Sequence, residues 1–149
     1  MPEANIDELE QERFLAQLPA KLRFPGGLQP FKDACDFEFK IDPQFVPLVR
    51  IECTTLDLAY VLVDPKLVEP GYAPQFYSAD LDELKLAENT RRAVLCIVNL
   101  NRGGWESATI NLAGPILINL EAGLGKQVIP MNAASYSTRQ KVLNSGGPA

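Results

Sequence analysis

The stretch that decides the fold runs from Ser107 to Met131 and reads SATINLAGPILINLEAGLGKQVIPM. Apolar and polar residues alternate up to Leu112, which is the period-two pattern of a half-buried strand. A Gly-Pro pair at residues 114–115 interrupts the alternation, which then resumes. A glycine-rich turn follows, and Pro130 ends a third segment because proline cannot donate to a strand ladder. The stretch therefore predicts three short strands, and it contains no catalytic triad, metal cluster or phosphate-binding loop.

The remainder of the chain carries strand signals at similar spacing. Apolar-rich or alternating segments cover residues 21–24, 37–41, 45–52, 56–63 and 90–99. Residues 80–86 differ, because Asp80 with Glu83 three positions later has the capping-box pattern of a short helix. About eight to ten short strands with one or two short helices predict a mainly all-β chain, folded as a small antiparallel β-barrel or a sandwich. The residues expected to fill the barrel from the opening stretch are Ile110, Leu112, Ile116 and Ile118.

Length, charge and composition narrow the classes of function. At 149 residues with 46% hydrophobic content, the chain has the size and apolar content of one domain with a true core. A net charge of −5 argues against direct nucleic-acid binding, since phosphate contacts need clustered Lys and Arg. No apolar run is long enough to span a membrane, and the amino terminus lacks a secretory signal. We therefore expect a cytoplasmic protein without a membrane partner, and a monomer.

Side chains that carry catalytic chemistry are sparse. The chain has no histidine, which is the commonest general base and zinc ligand, and its three cysteines do not suggest a disulfide framework. Cys53 and Cys96 lie in apolar contexts typical of buried, unreactive thiols. Carboxylates such as Asp64 and Asp80 are better explained as turn formers or helix caps than as acid–base groups. We therefore expect no enzyme activity, no cofactor and no metal site.

The pattern divides the chain into three parts. Residues 1–20 form an N-terminal extension, expected to be either helical or mobile, with a helix-compatible run from Asn5 to about Leu15. Residues 21–140 form the barrel domain. Residues 141–149, which include a Gly-Gly-Pro sequence, are expected to be a loose C-terminal tail.

The loop from Lys66 to Tyr77 carries three aromatic rings among turn-forming prolines and a glycine. These rings, Tyr72, Phe76 and Tyr77, either plug one end of the core or are presented to a partner, as exposed aromatic residues often are. A third interpretation makes the Tyr72–Tyr77 loop the rim of a pocket, in a small-ligand-binding barrel or an uncharacterised enzyme.

Several motifs occur in a characteristic order. They are LRFPGGLQPF at 22–31, LDLAYVLVDP at 56–65, Gly71-Tyr72, the acidic leucine-rich helix from Asp80, ATINLAGPILIN at 108–119 and GKQVI at 125–129. Each motif is weak alone, but their order and spacing over residues 21–140 are specific. Together they resemble the FliW family of bacterial flagellar assembly factors.

The resemblance implies a small β-barrel that binds proteins and is not an enzyme. It implies binding to CsrA, a dimeric RNA-binding translational repressor, and antagonism of that repressor away from its RNA site, that is, non-competitively. It also implies binding to flagellin, so that free flagellin competes for the factor and controls its own translation. An acidic chain is electrostatically suited to a basic RNA-binding partner.

For the partner-binding surface, we expect polar and aromatic residues exposed beside the signature strands. The candidates are Tyr72, Asn111, Asn119, Lys126, Gln127 and Tyr136. The alternative for each is a structural role, since asparagines often stabilise turns in β-proteins and a lysine can protect a sheet edge from pairing. Burial and hydrogen bonding at these six positions distinguish the two alternatives.

Overall fold

The computed structural model describes residues 13–143, and over this range the chain is built mostly from short strands and turns. The strands are β1 (Lys21–Arg23), β2 (Asp36–Lys40), β3 (Val49–Cys53), β4 (Ala59–Val63), β5 (Arg92–Asn99), β6 (Thr109–Ile110), β7 (Ile116–Asn119), β8 (Leu124–Gln127) and β9 (Gln140–Lys141). One short helix, α1 (Ser78–Glu83), lies between β4 and β5, and residues 13–17 are also helical. The 3-10 turns are Pro43–Phe45, Pro65–Leu67, Gly104–Ser107 and Ala133–Ser135.

Seven of these strands close into a barrel. The hydrogen-bonded order is β4-β3-β2-β1-β8-β7-β5, and β5 pairs back to β4. The predicted all-β barrel is therefore confirmed. One seam departs from the antiparallel expectation, because β1 and β8 run parallel and are joined by a single residue pair, Arg23 and Leu124. β6 and β9 lie outside the ring, where β6 pairs with β5 and β9 pairs with β6.

The barrel interior is filled by side chains. The buried residues that fill it include Leu22, Phe37, Val49, Ile51, Leu62, Leu95, Ile116 and Ile118. Phe24 enters from the turn after β1, and its ring packs edge-on against Phe37 at a centroid distance of 5.3 Å. Gly125 of β8 leaves room for that ring, since a Cβ there would lie 3.0 Å from it. These side chains occupy the space that a ligand-binding barrel would leave open.

Ile110 and Leu112 are buried in a different cluster, which corrects the expectation that they fill the barrel. They pack with Val63, Cys96 and Val98 of β4 and β5. These strand residues have the opposite parity to the barrel-filling residues of the same strands, so this outer cluster lies on the outside of the ring. The chain builds this second core because β6 and β9 return over the outer face of the barrel.

α1 covers the outer face of β7 and forms a third cluster. Its buried members are Leu84, Leu86, Leu117 and Val128. The helix begins at Ser78, after an extended Tyr77 that makes no side-chain cap hydrogen bond, so the predicted capping box at Asp80 is wrong. The Asp80 carboxylate lies in the first helical turn and is instead bonded to Lys126.

β3 begins later than the apolar sequence predicts. Its first residue is Val49, because the Asp42 carboxylate accepts a hydrogen bond from Gln44 N and starts a 3-10 turn. Phe45 in that turn and Ile41 before it are 59% and 40% exposed. The turn therefore leaves two large apolar side chains in water.

β4 likewise begins at Ala59 and not at Leu56. The first residues of the predicted strand form a turn, in which Cys53 N donates to Leu58 O and Leu58 N donates to Leu56 O. The apolar run is longer than the strand because these turn hydrogen bonds use backbone groups that would otherwise pair with a neighbouring strand.

The chain before β1 packs on the barrel. Phe14, Leu15 and Leu18 are half-buried against the interior cluster. The remainder of the predicted helix from Asn5 lies outside the described residues. None of the helices over residues 13–143 has the length and apolar character needed to cross a bilayer.

The segment after residue 140 remains in the sheet longer than expected. Lys141 ends β9, and Val142 N donates to Ala108 O while its side chain packs against the outer cluster. Residues 141 and 142 therefore belong to the sheet region and not to a loose tail, and residues 144–149 lie outside the described part of the chain.

Candidate protein-binding surface

Tyr72 and Tyr136, two of the six candidates, hold the aromatic loop onto the outer cluster. Their rings meet edge to face at a centroid distance of 4.7 Å. Tyr72 is 2% exposed and its hydroxyl donates to Leu112 O at 2.6 Å, whereas the half-buried Tyr136 hydroxyl accepts from Ala73 N. Burial raises the pKa of Tyr72, so the phenol stays protonated and keeps its donor. The expected exposure of Tyr72 is wrong, because its ring belongs to the core.

Asn119 is also buried, at 2% exposure. It has the opposite parity to Ile118, as predicted, but α1 covers the outer face of its strand. Its amide nitrogen donates to the carbonyls of Leu84 and Lys85 at the end of the helix, at 2.9 and 3.3 Å. Its carbonyl oxygen accepts from two backbone amides of the turn after β7, both at 2.9 Å. The expected exposure of Asn119 is wrong, because its side chain joins the helix to the sheet.

Lys126 ties the same helix to β8. Its Nζ lies 2.6 Å from Asp80 Oδ1 and 3.1 Å from Glu83 Oε1. The hydrogen bond to Asp80, opposed by burial and reinforced by Glu83, raises the pKa of Lys126 above its usual value. The ammonium is thus engaged by two carboxylates that lie three residues apart on one side of α1.

Asn111 and Gln127 meet at the glycine that precedes Pro115. Asn111 Oδ1 accepts from Ala113 N at 2.9 Å, and Gln127 Nε2 donates to Gly114 O at 2.9 Å. A Cβ on Gly114 would lie 2.8 Å from the Asn111 amide nitrogen, so a larger residue here would displace the Asn111 side chain. Both side chains are half-buried and stabilise the turn that leads into β7.

The six candidates therefore fall into three pairs, each with a different structural role. Two hold the aromatic loop, two attach α1, and two stabilise the turn before β7. Each makes at least one hydrogen bond or ion pair within the chain. Contact between these residues and a partner stays a prediction.

An exposed apolar groove of about 640 Å³ lies beside the start of β3. We call it the aromatic groove, and its apolar lining consists of Phe39, Ile41, Phe45, Leu48, Val49, Val61 and Trp105. Trp105 reaches it from the 3-10 turn after β5 and is 42% exposed. Apolar and aromatic side chains grouped in water, with a polar rim, are typical of protein-interaction sites.

Beside the aromatic groove, residues of like charge lie opposite each other on β2 and β3. Lys40 faces Arg50 across β2 and β3, and Glu38 faces Glu52. Like charges placed opposite each other destabilise a sheet. Here each basic side chain forms an ion pair with an acidic residue of its own strand. Nζ of Lys40 lies 3.3 Å from Glu38, and Nε of Arg50 lies 2.8 Å from Glu52. The groove is therefore bordered by adjacent basic and acidic groups.

A second cleft, of about 460 Å³, lies where the aromatic loop meets β5. Three of its polar side chains make hydrogen bonds within the chain. Arg92 donates to carbonyl oxygens before β5, the Asp64 carboxylate accepts from Lys66 N, and the Tyr72 hydroxyl is bonded to Leu112 O. These polar groups therefore stabilise the fold, and a ligand site rimmed by the Tyr72–Tyr77 loop stays a prediction.

Two cysteines differ in their surroundings. Burial, with a contribution from Asp64, raises the pKa of Cys96 to about 12, as expected for an unreactive thiol. Cys53 is only half-buried, which corrects the expectation that it is enclosed. Burial acts to raise its pKa, but hydrogen bonds from Thr55 and from Leu56 N outweigh burial and the pKa is lowered.

The sequence patterns did not predict the aromatic groove. Phe45 and Trp105, two of its most exposed members, lie in turns and not in an alternating strand or a motif. The signals present were a single tryptophan directly after two glycines and a phenylalanine in the turn after Asp42-Pro43. Large aromatic residues in turns are a feature that can identify such a surface, because strand alternation does not bury them.

The fold and the groove define a class: a small β-barrel with a filled interior and an exposed apolar groove on its surface. Comparison with known proteins gives the family. The model of the family described as FliW protein matches residues 8–142, and the chain belongs to the FliW family. The match begins within the segment expected to be an N-terminal extension.

Relatives and a solved structure agree with this assignment. A flagellar assembly factor FliW from Borreliella burgdorferi is 30% identical over 120 residues, which cover 80% of this chain and 91% of that relative. One from Moorella thermoacetica is 32% identical over 123 residues, which cover 82% of this chain and 77% of the relative. A crystal structure of the flagellar assembly factor FliW superposes with a TM-score of 0.73 at 26% identity, covering 83% of this chain and 86% of the other.

Proposed function

We propose that this chain is a cytoplasmic, protein-binding regulator of flagellar assembly and not an enzyme. It binds a CsrA-type translational repressor, antagonises it non-competitively away from its RNA site, and also binds flagellin. It thereby couples the amount of free flagellin to flagellin translation. Membership of the FliW family supports the assembly role, since the relatives carry the name flagellar assembly factor.

The aromatic groove is the observation that carries the protein-binding role. Phe45 and Trp105 leave large apolar surfaces in water, and removing them from water on association is favourable. Aromatic anchors of this kind account for a large share of the binding energy in many protein interfaces. We assign the repressor to this groove.

The charge of the chain favours a basic partner. A net charge of −5 accelerates encounter with a basic RNA-binding dimer, and the effect weakens as salt screens it. The acidic residues that line the groove, Asp42 and Glu52, lie where such a partner would approach. We therefore expect the association rate, more than the dissociation rate, to fall with ionic strength.

A calorimetric titration of the full chain into a CsrA-type dimer tests the interaction directly. We expect a complex at micromolar concentrations of both proteins. The absence of any complex at these concentrations would contradict the proposal.

Variants of the groove test where the repressor binds. Phe45→Ala and Trp105→Ala should each weaken binding roughly tenfold, the loss typical of a well-packed aromatic anchor. Leu67→Ala is the matched control, because Leu67 is 44% exposed and does not line the groove. Equal losses of repressor affinity in all three variants would show that the repressor does not bind at the groove.

Labelled flagellin leader RNA tests the mechanism. Adding the chain to the repressor–RNA complex should release RNA, and excess RNA should not restore full binding, since the antagonism is non-competitive. Flagellin added next should take up the chain and restore repressor–RNA binding. Full recovery with excess RNA alone would show competition for the RNA site and would contradict the mechanism.

A further inference from the structure

A group of basic side chains lies on the outer sheet formed by β6 and β9. Arg102, Arg139 and Lys141 line an open pocket of about 710 Å³ together with Ser107 and Thr109. None of the described residues that line it is acidic. This basic pocket is positively charged, although the chain as a whole carries a net charge of −5.

The two faces of the β6–β9 sheet differ in character. Ile110 and Val142 pack inward against the outer cluster. Thr109 and Lys141, which are paired across the two strands, have the opposite parity and line the pocket, where Thr109 is buried and Lys141 is exposed together with Arg139. One face is therefore apolar and covered, and the other is basic and open.

The loop after β5 forms the wall of the basic pocket. Asn101 Nδ2 donates to Ser107 O at 2.7 Å, and Ser107 Oγ donates to Leu100 O at 3.0 Å. These bonds hold the segment that contains Arg102. The same loop carries Trp105 into the aromatic groove, so the two surfaces are neighbours.

The three cations are not neutralised within residues 13–143. None of them forms an ion pair there, unlike five other basic residues. Those five are Arg23, Lys40, Arg50, Arg91 and Lys126. The charge around the pocket is thus available to an external anionic group.

β9 also presents an unpaired edge. It is the terminal strand of the sheet, and no strand of the described chain pairs with its outer side. An extended peptide can add to such an edge through main-chain hydrogen bonds. Alternate side chains of the added strand would lie on the same face as Arg139 and Lys141, so acidic residues at every second position would meet both cations.

We infer that the basic pocket and the β9 edge bind an acidic segment of a partner protein in extended conformation. The segment pairs with β9, and its carboxylates contact Arg102, Arg139 and Lys141. RNA fits this surface less well, because three cations form a small footprint for a polyanion and no aromatic ring lines the pocket for base stacking. The inference does not depend on the groove or on the repressor.

Fluorescence anisotropy with the full chain and a short labelled peptide of alternating valine and glutamate tests this site. We expect saturable binding that weakens at high salt. The same peptide with glutamine in place of glutamate should bind much less. A proline at its centre should also weaken binding, since it removes a main-chain donor.

Removing the cations should weaken peptide binding. Arg139→Gln combined with Lys141→Gln should raise the dissociation constant roughly five- to twentyfold, as expected for two partly exposed ion pairs. Arg102→Gln should raise the dissociation constant roughly two- to fivefold. Because Arg102 lies in a loop and not in a strand, this variant also tests the site without altering β9. Lys32→Gln combined with Lys66→Gln removes the same charge elsewhere and should have little effect.

Three results would overturn the inference. Equal weakening by the Lys32 and Lys66 control pair would show a non-specific charge effect. Displacement of the peptide by inorganic phosphate at similar concentration would indicate a small-anion site. Tighter binding of a single-stranded RNA oligonucleotide, lost in the same variants, would assign the pocket to nucleic acid.

Discussion

The β7–β8 side of the barrel and the aromatic groove use their side chains in opposite ways. All four residues of β7 are buried, and the polar groups beside them are bonded within the chain. In the groove, Phe45 and Trp105 remain 59% and 42% exposed. Folding explains the first region, because its buried polar groups have partners. It does not explain the second, because aromatic surface left in water gives no stabilisation to the fold.

This difference separates the scaffold from the proposed binding surface. The motif-rich stretch from Ala108 to Asn119 builds strands and attaches α1, whereas the most exposed aromatic residues of the groove lie in turns between strands. If the separation is correct, changes on the β7–β8 side should lower stability, and changes in the groove should lower partner binding alone.

Asn119→Ala should have the largest effect on stability. It leaves the buried carbonyl of Leu84 and two amides of the turn after β7 without partners, which we expect to lower the free energy of unfolding by about 3 kcal/mol. Urea denaturation followed by circular dichroism measures it. Asn111→Ala is the control, because its amide makes one local bond and is half-buried, and it should cost under about 1 kcal/mol. Equal losses would contradict the role assigned to Asn119.

Tyr72→Phe should have an intermediate effect. The ring packing on Tyr136 is kept, but Leu112 O loses its 2.6 Å hydrogen bond in a buried site. We expect a loss of about 1–2 kcal/mol in the free energy of unfolding, measured in the same way. Tyr77→Phe, at a residue that is 51% exposed, should change stability by less than about 0.5 kcal/mol. If Tyr72→Phe left the free energy of unfolding unchanged, the hydroxyl would not contribute to the stability of the core.

Local sequence pattern predicted the parts of the fold that depend on backbone period. A strand places alternate side chains on opposite faces, so the pattern put Ile116 and Ile118 on one side and Asn119 on the other. Whether that other side meets water depends on α1, which is held by contacts between residues distant in sequence, such as Asp80 and Lys126. Local pattern carries no information on such contacts, and Asn119 was therefore expected to be exposed.

The candidate site was less predictable for the same reason. The aromatic groove joins the end of β2, the turn at Phe45, β4 and the turn at Trp105, and none of these segments shows by itself that the others are near. The family motifs directed attention to residues 108–119, most of which are buried in the core. Exposed aromatic residues in turns were present in the sequence, but their meeting in one groove is a property of barrel closure.

Lys126→Met should have a small effect that depends on pH. The ion pairs with Asp80 and Glu83 are partly exposed, so we expect a loss of under about 1 kcal/mol at pH 7. Because the pKa of Lys126 is raised in the folded state, its contribution is complete below the unfolded pKa of about 10.4 and is lost as pH rises through the folded value.

Urea denaturation of both proteins from neutral to strongly alkaline pH measures this contribution. The difference between wild type and Lys126→Met should stay constant up to about pH 10 and then shrink. Lys66→Met is the control, since Lys66 forms no ion pair within residues 13–143. A difference that grows with alkaline pH would contradict a raised pKa of Lys126 in the folded state.

Substitutions in the aromatic groove should have the smallest effect on stability. Phe45→Ser and Trp105→Ser remove side chains that stay 59% and 42% exposed, so each should change the free energy of unfolding by less than about 0.5 kcal/mol. The same variants should weaken binding of the repressor in the calorimetric titration. A loss of stability as large as that of Tyr72→Phe would mean that these rings support the fold, and the separation between scaffold and surface would then fail at the groove. Retained stability with weakened binding would show that the aromatic residues serve a partner and not the barrel.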